Sequence, residues 1–328
     1  MTSSAGVNSI GMNLNQLRVS KRPEPVSKPA KVFDSQPKKS NFRNALGNLA
    51  GFALGIATPV YILHDNLHKI TVDEMKDSAD SMKEILHDVD TFENTKINAG
   101  KILKDTGLDK KGVKLHFVNN TEAGQKELQE VLNSAIPQTN SLNRRLYNNM
   151  VNTYKEGANA AYLHGNGQKA ILVNSDQLYC NVYHELGHAM NFNTNIFSKA
   201  LVKARHLTPF GASIVAPFAV LTSLLHRPND IKPQKEKPIL ERTLDFVSRH
   251  PVTLTALSVL PIVTEEALAS FRGLKQANKY LKPEIVGKLA QNYTIAWMTY
   301  GVVALGTVAG AKLGTYVADR IKNPKNDK

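Results

Sequence analysis

The sequence predicts an α+β domain, a small sheet with a hairpin beside a histidine-bearing helix, combined with hydrophobic membrane helices. Three observations predict it. Residues 159–174 hold two short β-rich runs around Asn166-Gly167, a pair that tolerates positive φ at both positions and so closes tight hairpins. Residues 183–192 (YHELGHAMNF) carry two histidines four apart, which lie on one face of a helix. Four apolar stretches, 45–63, 207–225, 251–264 and 293–318, surround this polar part, and their Gly, Ala, Thr and Pro content is compatible with close packing in a membrane.

Taken in order, residues 1–43 are rich in Ser, Asn, Pro and Lys. They read as a disordered basic tail with too few large apolar residues to form a core. No apolar run follows Met1, so no cleavable secretory signal is expected. Segment 44–63 holds the first candidate span, free of charge and about long enough to cross a bilayer. Residues 64–206 form the polar domain. Within it Val72, Met75, Met82, Ile85, Leu86, Val89 and Phe92 fall at helical spacing. Residues 113–119 read as a strand, 122–134 as a helix, 159–163 and 169–174 as the hairpin strands, and 176–192 as the histidine helix. A membrane helix pair is expected over 207–264, a separate helix over 265–292, a further span over 293–318 and a basic tail over 319–328.

The 328 residues suffice for one sizeable core. The single cysteine, Cys180, precludes an intramolecular disulfide and reads as a packing residue one turn before His184. The net charge is +13, of which residues 1–44 carry +6. Basic tails of this kind fit anionic headgroups, and no basic patch interleaved with aromatics marks a nucleic-acid surface. If all four stretches cross, the Lys/Arg bias puts the tails inside and the polar domain outside.

His184 and His188 can present two imidazoles to one metal ion, and zinc accepts nitrogen at about 2.0–2.1 Å in a tetrahedral arrangement. Glu185, rotated by about 100°, is placed to take a proton from a water beside the metal, not to ligate. Gly187 costs about 1 kcal/mol inside a helix, which points to a close-packing reason for it. A third ligand is expected from the run TEEALASFRGLKQA (264–277), where Glu265 and Glu266 both qualify.

These residues resemble the membrane-associated gluzincin peptidases of the M48 group, the CAAX-prenyl-protease and HtpX-like enzymes. Asn159-Ala160-Ala161-Tyr162 resembles their edge strand, residues 170–174 the next strand, and His184-Glu185-Leu186-Gly187-His188 the core motif. Two apolar segments follow, then Glu266-Ala267-Leu268-Ala269-Ser270. The resemblance covers residues 110–280 in order. It implies a zincin-like catalytic domain, selects Glu266 over Glu265 as third ligand, and implies one Zn2+ held by His184, His188 and Glu266 with Glu185 as catalytic base. Ser270 stands where the family has an aspartate, and the family's later His-Pro element has no match. The resemblance implies a multi-pass, membrane-associated zinc metalloendopeptidase, with the lipid bilayer and a nearby protein or peptide substrate as partners. The alternative is a catalytically degenerate zincin serving as a membrane scaffold.

Overall fold

A computed structural model describes residues 91–155, 160–205, 214–226, 228 and 233–322. The expected tail 1–43, the first apolar stretch, the helical run from Val72 to Val89, and Asn159 lie outside these residues. The described chain is mostly helical with one small mixed sheet.

Helix α1 (Phe92–Asp105) starts at Thr91, whose hydroxyl accepts from the Asn94 amide, an N-cap that satisfies an otherwise orphaned donor. Strand β1 (Val113–Val118) follows, then α2 (Glu122–Ala135), capped by Thr121, and α3 (Ser141–Lys155). Strands β2 (Ala160–Gly165) and β3 (Gln168–Asn174) form the expected hairpin. Its two turn residues, Asn166 and Gly167, have φ of 47° and 76°, as a type I′ turn requires. The sheet order is β1-β3-β2, with β1 parallel and β2 antiparallel to β3. Central β3 is buried on both faces, as a covered strand must be. Ile171 and Val173 join a core with α1 and the histidine helix, and Leu172 joins Leu128, Leu132 and Tyr154 of α2 and α3. β1 and β2 are the two edge strands among the described residues.

The histidine helix is shorter than expected. Residues 176–181 are not α-helical: the Ser175 amide returns to the Val118 carbonyl, the Asp176 amide donates to the Asn174 side chain, and a 3-10 turn spans Tyr179–Asn181. These local bonds compete with the helix, and α4 begins at Val182 and ends at Thr194. Next come α5 (Ile196–Arg205), α6 (Ala216–Leu225) and α7 (Ile239–Arg249). Where α6 and α7 face each other, Asp245 joins His226 and Lys237, both at 2.5 Å.

The separate segments expected at 251–264 and 265–292 are one continuous helix followed by the start of another. α8 runs Pro251–Ala277. Pro251 sits in its first turn, where no amide hydrogen is needed. Pro261 lies inside, at an intrinsic cost of about 3 kcal/mol. The helix persists because a stripe of Thr255, Val259, Glu266, Ala269, Gly273 and Ala277 is buried along one side. α9 runs Pro283–Lys322, well beyond the expected 293–318. α8 and α9 are both long and apolar enough to cross a membrane, while α6 is a shorter apolar helix. Large apolar side chains point outward from all three, among them Phe218, Leu257, Leu260, Leu305 and Leu313.

Candidate metal centre

α4 and α8 pack antiparallel in a fixed register. An added Cβ at Gly187 would lie 1.9 Å from the Ala269 carbonyl oxygen, and one at Gly273 would lie 2.2 Å from the Tyr183 carbonyl oxygen. One turn beyond Gly187, the Asn191 side-chain amide donates to Glu265. The pairs 183–273, 187–269 and 191–265 thus step along both helices by four residues. The expected close-packing role of Gly187 is this crossing: a side chain at either glycine would hold the two backbones apart.

The register sets His184 and His188 opposite Glu266. Their Nε2 atoms are 2.9 Å apart, and Glu266 Oε2 lies 3.2 Å from His184 Nε2 and 3.6 Å from His188 Nε2. Bonds of 2.0–2.1 Å at tetrahedral angles put neighbouring ligand atoms about 3.3 Å apart, so these three donors fit a single small metal ion. Residues His184, His188 and Glu266 form a group that can hold one.

The remaining ring nitrogens are also engaged. His188 Nδ1 lies 2.8 Å from Glu265 Oε1, and His184 Nδ1 lies 3.1 Å from the Ser270 hydroxyl. Such partners fix the tautomer and leave Nε2 free for a metal. Glu265, a candidate ligand by sequence, is therefore directed to the far side of His188. Burial by itself would lower the His188 pKa, but the carboxylates of Glu265 and Glu266 outweigh it and carry the metal-free imidazole up to about 9. The Tyr293 ring of α9 stands 5.2 Å from that of His184, and its hydroxyl donates to the Cys180 carbonyl. Cys180 is buried in the core, as a packing residue.

Glu185 points to the outer edge of β2. Its Oε2 accepts from the Tyr162 backbone N–H at 2.6 Å. His164, which reads from sequence as a solvated turn residue, instead belongs to β2, with its ring 4.1 Å from that of Phe192.

Sequence reasoning missed Arg205. This last residue of α5 reaches both glutamates: Nη1 to Glu265 Oε2 at 2.6 Å and Nη2 to Glu266 Oε1 at 2.7 Å. The only local signal is a basic residue in the last turn of a helix, where the dipole favours it anyway. No family model, no characterised protein and no solved structure matches this chain.

Proposed function

We propose that the chain is a membrane-associated zinc metallopeptidase of the M48-like, gluzincin type, with a zincin-like catalytic domain. The observation that carries the reading is the triangle of His184 Nε2, His188 Nε2 and Glu266 Oε2. Glu185 lies one residue along from the first ligand and is bonded to an open strand edge.

Two imidazoles and one carboxylate suit zinc and leave a fourth position open. Bound zinc supplies Lewis acidity toward a scissile carbonyl. Glu185 takes a proton from the attacking water and passes it to the leaving amine. The outer edge of β2 offers backbone groups on which an extended peptide aligns as an added strand. The Tyr162 amide is among them, so a peptide docking there competes for the bond that now holds Glu185. On this reading the chain crosses the membrane more than once and its substrate is held near the bilayer; the apolar lengths of α8 and α9 favour membrane association.

Purified protein is expected to contain one zinc per chain and to cleave peptides. Glu185→Gln should keep the zinc and lose at least about a hundredfold in turnover. A folded wild-type chain that takes up no zinc would sink the reading. The second reading is a metal-binding scaffold without catalysis, favoured by the neutral Ser270 beside His184. Equal phenotypes for wild type and Glu185→Gln, next to a strong phenotype for deletion, select it.

A further inference from the structure

We propose that Arg205 is a positioning residue of the metal centre, which restricts Glu266 to one ligating oxygen and locks Glu265 against His188. The inference rests on the metal reading of the site and adds a residue to it.

Three facts carry it. First, the two carboxylates are adjacent and both are buried, Glu265 at 0% and Glu266 at 2% exposure. Buried charges of one sign need a counter-charge. Arg205 has an ion pair to each of them; the protonated His188 imidazole faces both as well, but it gives up that charge once its Nε2 holds a metal, and the arginine does not. Second, the guanidinium divides the oxygens. Its Nη2 is ion-paired with Glu266 Oε1 at 2.7 Å, and Oε2 is directed at the two Nε2 atoms. Its Nη1 holds Glu265 Oε2, leaving Oε1 for His188 Nδ1 and the Asn191 amide. The Nη1 contact is a hydrogen bond and the Nη2 contact an ion pair, and the planar fork of arginine sets both nitrogens at a fixed spacing that a lysine ammonium cannot reproduce. Nη1 also comes within 3.1 Å of His188 Nδ1. With the Nδ1 hydrogen given to Glu265, that approach joins two donors and is not a hydrogen bond.

Third, α5 is clamped where the fork needs it. Arg272 of α8 donates to the Ser198 hydroxyl of α5 at 3.0 Å. Ser198 and Arg205 are seven residues apart, as are Arg272 and Glu265, so the two ties stand about 10 Å apart along antiparallel helices. The Arg272 contact therefore sets the register that brings Arg205 over the glutamates.

The test compares wild-type protein with Arg205→Lys, loaded with cobalt(II) in place of zinc. Arg205→Lys keeps the charge and removes the fork. It is expected to weaken zinc binding by about ten- to a hundredfold in chelator competition, the range for partners of metal ligands. The visible cobalt bands should also lose intensity as Glu266 turns two oxygens to the metal and coordination rises above four. If Arg205 acts on His188 through Glu265, the losses in Arg205→Lys and Glu265→Gln should be non-additive. Wild-type affinity and wild-type cobalt bands in folded Arg205→Lys overturn the inference and leave the metal reading intact. A wild-type chain that binds neither zinc nor cobalt overturns both. Should Arg205→Lys fail to fold, a zinc-loaded wild-type crystal structure decides: Glu266 ligating through both oxygens, or Arg205 touching neither glutamate, refutes it.

Discussion

Gly187 of α4 lies directly against the Ala269 carbonyl of α8, so close that a methyl group there would stand 1.9 Å from the oxygen. The obstacle is backbone, which no rotamer change can move aside. Gly187 lies between the two histidines, and Ala269 lies one turn beyond Glu266. This contact therefore sets the depth to which Glu266 approaches His184 and His188.

Gly187→Ala should separate α4 from α8. Overpacking of this kind costs about 1–3 kcal/mol, and the backbone contact puts this site at the upper end. The larger effect should fall on the metal, because Glu266 retreats with α8. Expected are a lowered Tm and a loss of zinc affinity of at least about tenfold, read by thermal unfolding and chelator competition. Unchanged zinc affinity would show that Glu266 is not held by this crossing.

Metal uptake should release a proton. Without metal, the His188 imidazole is carried up to about 9, chiefly against the opposing effect of burial, by Glu265 and Glu266. Nδ1 faces Glu265, so the additional proton sits on Nε2, the nitrogen that faces the site. Proton and metal compete for that atom. As pH rises from 6 toward 9, apparent zinc affinity should climb by about tenfold per unit for one linked proton and flatten above 9. Calorimetry in buffers of different ionisation enthalpy measures the released proton directly. Affinity independent of pH over that range would contradict the assignment.

The outward leucines of α8 and α9 predict how the chain fractionates. Leu257, Leu260 and Leu305 are each more than half exposed, and the helices that carry them are long and apolar enough to span. The chain should stay in the membrane pellet after an alkaline carbonate wash and move to the supernatant only with detergent. Release by carbonate alone would assign these helices to a soluble assembly.

Much of the local architecture was legible in the sequence, because it depends on neighbours in the chain. The Asn166-Gly167 turn follows from two residues that accept positive φ. The shared face of His184 and His188 follows from the helical repeat, and Gly187 announced a close contact by its cost. Helix limits were less legible. Residues 176–181 have helical patterning, yet the Asn174 side chain and the Val118 carbonyl draw their backbone into turns. The change from apolar to charged residues at 264–265 reads as a boundary, yet one helix runs Pro251–Ala277 through it, with Pro261 inside.

The sequence by itself determined the paired imidazoles on one face of α4, the hairpin upstream and the apolar character of the helices downstream. Only the tertiary structure decided how Glu265 and Glu266 divide their work, and that Arg205 joins them. Those relations cross some 60 to 80 residues of chain. They are set by which faces of α4, α5 and α8 pack together, and a four-residue register between two glycine-notched helices is not written in either helix alone.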